Sequence, residues 1–125
     1  LMNLGDVSNA TVPKMSLLSR SHGSAMINTR TFIPHRCHEA IGVLGAVSVA
    51  TASILPGSVA AKIAGVSEIR NAVEVEVEHP TGSFNVSMEL DNSGSQLRVT
   101  KSAQLRTARM LFSGHVFVPA TIWRS

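Results

Sequence analysis

The segment from Cys37 to Leu55 constrains the fold most, because it has helical length and carries small apolar residues on every face. Pro56-Gly57 follows directly, and such a pair is typical of a helix C-terminus. A helix that is apolar all round has to be covered on every side. The sequence therefore predicts one central helix that is buried among other elements.

The segment from residue 71 to residue 90 has the alternation of a strand pair. Three valines alternate with three glutamates between residues 73 and 78, and Phe84, Val86, Met88 and Leu90 alternate with polar residues after the break at Pro80-Thr81-Gly82. Period-two alternation on both sides of a short turn is typical of a hairpin with one buried face. We expect residues 71–90 to form an antiparallel pair with an acidic outer face.

The rest of the chain contains shorter signals. We predict one strand at Met15–Leu18, one at residues 58–64 and one that begins at Leu97 and Val99. Residues 106–112 fit a helix or a strand, and residues 115–119 are expected to be extended. One helix and about five strands in 125 residues predict a single α+β domain, in which a curved, mainly antiparallel sheet wraps around the central helix.

Charge and composition exclude several classes of partner. The net charge of +3 comes from scattered basic residues, and five aromatic residues provide few stacking surfaces, so we expect a solvated basic face and no nucleic acid. Residues 40–55 are shorter than the roughly 20 apolar residues that span a bilayer, so no membrane partner is expected. The lone Cys37 requires no oxidising compartment, and no signal or lipidation pattern is legible, which predicts a cytoplasmic location.

Five short motifs occur in an order that resembles the PrpF family. In chain order they are Thr11-Val12-Pro13-Lys14, His38-x-Ala40 with Gly45-Ala46-Val47, Leu55-Pro56-Gly57-Ser58-Val59, His79-Pro80-Thr81-Gly82, and Arg106-Thr107-Ala108-Arg109 with Gly114 to Pro119. That family includes 2-methylaconitate isomerase, methylitaconate isomerase and 4-oxalomesaconate tautomerase. It has the diaminopimelate-epimerase-like fold of two similar domains, each a sheet around a helix. Its members are far longer, so residues 1–125 resemble one partial, C-terminal domain.

The resemblance also implies that this chain holds no catalytic residue. The lysine and cysteine with which the family moves a proton lie in its first domain, so neither Lys14 nor Cys37 is given that role. In the related epimerases a cysteine directly precedes the Gly-Thr-Gly helix start, whereas Cys37 lies five positions before Gly42-Val43-Leu44-Gly45. No cofactor is implied. His35, Cys37 and His38 do not form a zinc pattern, so no metal is expected either.

The start of the central helix, residues 38–46, is the best candidate for substrate binding. Unpaired backbone N–H groups and the helix dipole favour an anion there, and Gly45 and Ala46 have no bulky side chains. His38 adds a side-chain donor, or alternatively is a structural histidine that bonds a neighbouring turn. In the family such an anion is a carboxylate of a di- or tricarboxylic acid.

Two further candidates lie in the turn at residues 79–82. Thr81 and Gly82 either form the turn alone or direct a hydroxyl and an N–H group towards the substrate. Arg106 and Arg109 are expected to brace the domain rather than to bind substrate.

Two classes of function follow. The leading hypothesis is the substrate-binding part of a cofactor-independent isomerase or tautomerase of unsaturated di- or tricarboxylic acids. Either the missing N-terminal domain or a second copy would then be its partner. The alternative is a non-catalytic carboxylate-binding or interaction module with the same fold.

Overall fold

A computed structural model describes residues 3–33, 35–68 and 70–122 of the 125. The described residues form five strands and two helices, so the α+β class predicted from the sequence is confirmed. In chain order the elements are β1 (Met15–Ser19), β2 (Ile27–Phe32), α1 (Val43–Ile54), α2 (Val59–Ala64), β3 (Ala72–His79), β4 (Gly82–Asp91) and β5 (Arg98–Gln104).

The strands form one sheet in the order β1-β2-β3-β4-β5. Three of the four pairs are antiparallel, as predicted, and β2 with β3 is parallel. The parallel pair is short: only Ile27 with Val77 and Asn28 with Glu78 are in register, whereas β3 pairs with β4 along its whole length. We call this short parallel contact the seam, since it joins the β1–β2 hairpin to the rest of the sheet.

The predicted hairpin at residues 71–90 is confirmed as β3 and β4. Val75, Val77 and Val86 are fully buried on the inner face. On the outer face Ser83 donates a hydrogen bond of 2.6 Å to Glu76, and Ser87 donates one of 3.2 Å to Glu74. The alternation therefore separates a core face from a polar face, as expected for a half-buried pair.

The central helix differs from its prediction in two ways. It begins at Val43 instead of Cys37. Residues 37–42 are not helical, and Cys37 forms an isolated antiparallel β-bridge with Phe32. It is also covered on one side only: Ala46 and Ala50 lie in the core, whereas the Leu44 side chain is 82% exposed. The prediction that every side is covered is wrong among the described residues, because α2 and the strands β3, β4 and β5 pack against α1 and leave the side of Leu44 exposed.

The prediction of a strand at residues 58–64 is wrong, because these residues form α2. The Ser58 side chain accepts a hydrogen bond of 2.9 Å from the N–H of Ala61 and caps the helix. Gly65 ends α2 in the left-handed conformation, with φ of 69°. An N-terminal serine cap and a left-handed glycine are strong local signals for a short helix.

Residues 105–119, which we call the arm, contain no helix and no strand. The prediction that residues 106–112 form a helix or a strand is therefore wrong. At the base of the arm, the Arg106 guanidinium lies 4.6 Å from the centre of the Phe84 ring, a bracing contact of the kind expected for this residue. No helix among the described residues is long and apolar enough to cross a membrane.

Candidate functional site

A cavity of about 690 Å³ lies where β1 and β2 meet the first turn of α1. Strands β1 and β2 contribute Ser16 and Thr31, whose hydroxyl oxygens are 2.8 Å apart. The loop before α1 contributes His38, and the helix contributes its first residues from Gly42 onward. The structure thus brings the predicted helix start and His38 together around one cavity.

The first turn of α1 provides unpaired donors. The first bond within the helix runs from the N–H of Ala46 to the carbonyl of Gly42, at 2.9 Å. The N–H groups of Val43, Leu44 and Gly45 precede that bond and have no partner within the helix. Gly42, the cap residue, has no side chain to bond them. Three backbone donors and the positive end of the helix dipole therefore favour an anion here.

His38 is held by two hydrogen bonds, one to strand β2 and one within its own loop. Its backbone N–H donates to the carbonyl of Thr31 at 2.7 Å, and its Nδ1 accepts from the N–H of Ala40 at 3.0 Å. Since Nδ1 is an acceptor, we assign the proton of the neutral ring to Nε2. His38 therefore fulfils the bonding pattern of a structural histidine while keeping an N–H donor for a ligand in the cavity.

Lys14 also lines this cavity, just before β1. Sequence reasoning withheld a proton-transfer role from this lysine and gave it no other role at the site. The available signal was its position in the motif Val12-Pro13-Lys14, directly before a predicted strand. An ammonium group beside the start of α1 adds a positive charge where the helix already favours an anion.

Gly45 lies at the cavity, whereas Ala46 lies in the core. Gly45 lines the cavity, but a Cβ atom there would lie 3.1 Å from Cγ1 of Ile41, which belongs to the core. The Ala46 side chain is fully buried and its N–H group is used within the helix. The Ala46 amide is therefore not free to bind a ligand, because α1 begins at Val43 and only the N–H groups of its first three residues have no partner within the helix.

Thr81 and Gly82 do not line the cavity. The Thr81 hydroxyl donates a hydrogen bond of 2.8 Å to the carbonyl of Glu39, next to His38. Gly82 is paired with His79 at the start of β4. Thr81 therefore holds the β3–β4 turn against the segment that carries His38, whereas the observed contacts of Gly82 are those of the turn alone.

His79 lies behind this turn with 8% of its surface exposed. Burial lowers the pKa of its imidazole, the Glu39 backbone partly offsets that effect, and the nearby His38 lowers the pKa further. Its Nδ1 lies 3.4 Å from the N–H of Thr81, in the position of an acceptor. The neutral ring is the form that these contacts favour.

The described residues contain no group of three or more histidine, cysteine or acidic side chains that could hold a metal ion. Cys37 is a free, exposed thiol. The cavity accordingly offers hydrogen-bond donors and positive charge, which suit the binding of carboxylate groups.

Comparison with known proteins finds relatives that are named as isomerases and tautomerases. The chain is 50% identical over 118 residues to a (4E)-oxalomesaconate Delta-isomerase of Novosphingobium sp., covering 94% of this chain and 32% of the relative. It is 50% identical over 123 residues to a 4-oxalomesaconate tautomerase of Pseudomonas putida, covering 98% of this chain and 32% of the relative. A 2-methyl-aconitate isomerase of Cupriavidus necator is 36% identical over 84 residues, covering 67% and 20% of the two chains.

The chain thus spans about a third of the length of the first two relatives, whose matched regions cover 32% of each. The family model described as PrpF protein matches residues 3–119, which include the whole sheet, both helices and the arm. On this match, the chain belongs to the PrpF family.

Proposed function

We propose that this chain is the substrate-binding part of a proton-shifting isomerase or tautomerase of unsaturated di- or tricarboxylic acids. The observation that carries the proposal is the cavity at the start of α1, where free helix donors, His38 and Lys14 line one space. The names of the PrpF relatives, which include oxalomesaconate and methylaconitate, support this substrate class.

The cavity suits a substrate with more than one carboxylate. One carboxylate would accept hydrogen bonds from the N–H groups of Val43, Leu44 and Gly45 at about 3 Å. His38 Nε2 and the Lys14 ammonium would bind it further or hold a second carboxylate. Charge-assisted bonds of this kind are shorter and stronger than neutral ones.

Such binding would also prepare the substrate for reaction. A proton is removed from a carbon next to a carboxylate more readily when donors stabilise the negative charge that develops. The acid and base that move the proton are assigned to polypeptide outside this chain, as the PrpF resemblance implies. The proposed proton shift is direct and uses no cofactor.

The proposal includes a place for the chain in the parent protein. Residues 1–125 would form one partial domain of the diaminopimelate-epimerase-like fold. A helix packed on a mainly antiparallel sheet supports this assignment, and the exposed side of α1 would face a second domain across a cleft.

A chimera tests the function. The third of the Pseudomonas putida tautomerase that matches this chain is replaced by these 125 residues, and tautomerase turnover is followed by ultraviolet absorbance. We expect turnover in the chimera, and a lower substrate affinity when Lys14→Gln is introduced. Lys62→Gln, which removes a lysine from the exposed side of α2, is the matched control and should leave affinity unchanged.

A folded chimera that binds the substrate without converting it would favour the alternative of a carboxylate-binding module. If the chimera does not fold, the isolated chain is titrated with tricarballylate and observed by NMR. Shifts of the Val43, Leu44 and Gly45 amide signals are expected. Their absence at saturating ligand would refute the proposed binding site.

A further inference from the structure

A pair of hydroxyl groups lines the cavity beside the groups that favour an anion. Ser16 and Thr31 lie opposite each other on β1 and β2, and their hydroxyl oxygens are 2.8 Å apart. Both residues line the cavity together with Lys14 and His38. The proposed carboxylate site uses the lysine, the histidine and the helix donors, and it leaves the hydroxyl pair without a role.

Thr31 occupies a position where the fold needs no hydroxyl. It lies on the inner face of β2 with 6% of its surface exposed. The hydroxyl of Thr29, on the same face, bonds the backbone carbonyl of Glu78, whereas within the described residues the Thr31 hydroxyl bonds only Ser16. Two apolar side chains of the same shape would replace such a bond at almost no cost in stability. A role in the hairpin alone therefore does not account for two hydroxyls at the cavity wall.

The hydrogen-bonding capacity of the pair indicates what it can bind. Each hydroxyl has one O–H donor and two lone pairs. The bond between Ser16 and Thr31 uses one O–H, whichever residue donates, so the pair keeps one donor and several lone pairs for a ligand. An ionised carboxylate only accepts, whereas a hydroxyl or enol group both donates and accepts. The pair is therefore better suited to an uncharged oxygen than to a further carboxylate.

The pair also lies next to the groups that would hold the carboxylates. The backbone carbonyl of Thr31 accepts a hydrogen bond of 2.7 Å from the N–H of His38. Lys14 precedes Ser16 by two residues, just before β1 begins. A ligand whose carboxylates are bound by His38 and Lys14 would thus have its carbon chain beside the two hydroxyls.

We propose that Ser16 and Thr31 form a subsite that selects polycarboxylic acids carrying a hydroxyl or enol group over those without one. The proposal rests on the proposed carboxylate site and adds a determinant of specificity to it. The two hydroxyls bind and orient the substrate oxygen by hydrogen bonds. They form no covalent bond, and the proton shift itself stays with groups outside this chain.

Three acids with the same carbon skeleton test the subsite. Tricarballylate has three carboxylates on a propane chain, and citrate and isocitrate each add one hydroxyl to it at different carbons. Each acid is titrated calorimetrically into the chimera with the Pseudomonas putida tautomerase. At least one hydroxy acid should bind about three- to tenfold more tightly than tricarballylate, the range for one neutral hydrogen bond. Equal or weaker binding of both would overturn the proposal.

Substitutions then assign the preference to the pair. Thr31→Val and Ser16→Ala should each abolish the preference for the hydroxy acid, while the affinity for tricarballylate stays the same. Thr100→Val and Ser83→Ala are the matched controls, because these hydroxyls also bond a neighbouring strand but do not line the cavity. A pair that only holds the hairpin together would lower the melting temperature on substitution and leave the preference intact, which would refute the subsite.

Tricarballylate separates this proposal from the one on which it rests. If tricarballylate binds and neither hydroxy acid binds more tightly, the subsite is refuted and the carboxylate site stands. If none of the three acids binds, the carboxylate site is refuted and the subsite with it. If the chimera does not fold, the same three titrations are made with the 125-residue chain and followed by NMR.

Discussion

The hydroxyl of Thr81 donates a hydrogen bond of 2.8 Å to the backbone carbonyl of Glu39. This bond ties the turn between β3 and β4 to the residue that follows His38. The turn thereby supports one wall of the cavity without facing it. Thr81, which the sequence suggested as a possible substrate contact, is thus placed to position His38 instead of touching the substrate.

Thr81→Val should weaken carboxylate binding by releasing the His38 segment, and should lower the free energy of unfolding by about 1 kcal/mol. Thr100→Val is the matched control, because the Thr100 hydroxyl also donates to a backbone carbonyl, that of Glu89, at 3.0 Å. Calorimetric titration of both variants with a tricarboxylate such as tricarballylate compares their affinities. Equal affinities would show that Thr81 does not position His38.

Gly42→Ser should change stability and binding in opposite directions. Gly42 has the backbone angles of a helix cap, φ −70° and ψ 157°, and a Cβ atom there would meet nothing within 4 Å. A serine hydroxyl would cap the free N–H groups and stabilise α1 by a few tenths of a kcal/mol up to about 1 kcal/mol. It would also compete with a carboxylate for the same donors.

Thermal melting and ligand titration of Gly42→Ser measure the two effects. Gly42→Ala fills the same space without an acceptor oxygen, so it should leave the donors available. Tighter binding in Gly42→Ser would contradict an anion site at the start of α1.

His38→Ala in the chimera should weaken substrate binding by roughly 1.5 to 3 kcal/mol, the range for a hydrogen bond to a charged group. The melting temperature of this variant should stay close to that of the unsubstituted chimera, because His38 is exposed. A Michaelis constant and a turnover number that both match the parent would return His38 to a purely structural role.

Gly45→Val should act through stability instead. Its side chain would push against Ile41, since even a Cβ atom at this position lies 3.1 Å from Cγ1 of that core residue. Over-packing of this kind destabilises by about 1 to 3 kcal/mol. Urea unfolding measures it, and an unchanged midpoint would mean that Ile41 can move aside freely.

The buried His79 predicts that the chain loses stability in mild acid. Its pKa is lowered from the ordinary 6.5, so the unfolded state binds a proton more readily than the folded state. The stabilisation is present above pH 6.5 and is lost as the pH falls through the lowered pKa. Protonation at Nδ1 would also remove the acceptor facing the Thr81 N–H.

His79→Gln should flatten this part of the pH profile of unfolding. Histidine ring signals in NMR spectra give the pKa directly. A His79 pKa at or above 6.5 would disprove the prediction.

Local sequence patterns were sufficient to predict the secondary structure of the most regularly alternating segments. The alternation around Val75 and Val86 was sufficient for the β3–β4 hairpin, since each residue has one clear face. Strand β2 was not recognised, because Thr29 and Thr31 are buried on its inner face where an apolar residue would be expected. Thr29 is accommodated there by a hydrogen bond of 2.8 Å to the carbonyl of Glu78, a partner 49 positions away that no local pattern indicates.

Only the part of the candidate site that is local in sequence was predicted. His38 and the start of α1 are close in sequence and could be linked by the helix dipole alone. Lys14 reaches the same cavity only because β1 pairs with β2, which brings residues far apart in sequence together. The helix start was placed too early, since residues 37–42 contain no proline or strong capping residue that marks where the helix begins.

The seam between β2 and β3 has a consequence for the order in which the chain folds. Strands β3, β4 and β5 join neighbours in sequence and can form quickly, whereas the seam must close a long loop that contains both helices. We therefore expect the β1–β2 hairpin to attach last, through Ile27 with Val77 and Asn28 with Glu78. Because Ser16 and Thr31 belong to that hairpin, the cavity would exist only after the slowest step, and a bound carboxylate would slow unfolding by holding the seam closed.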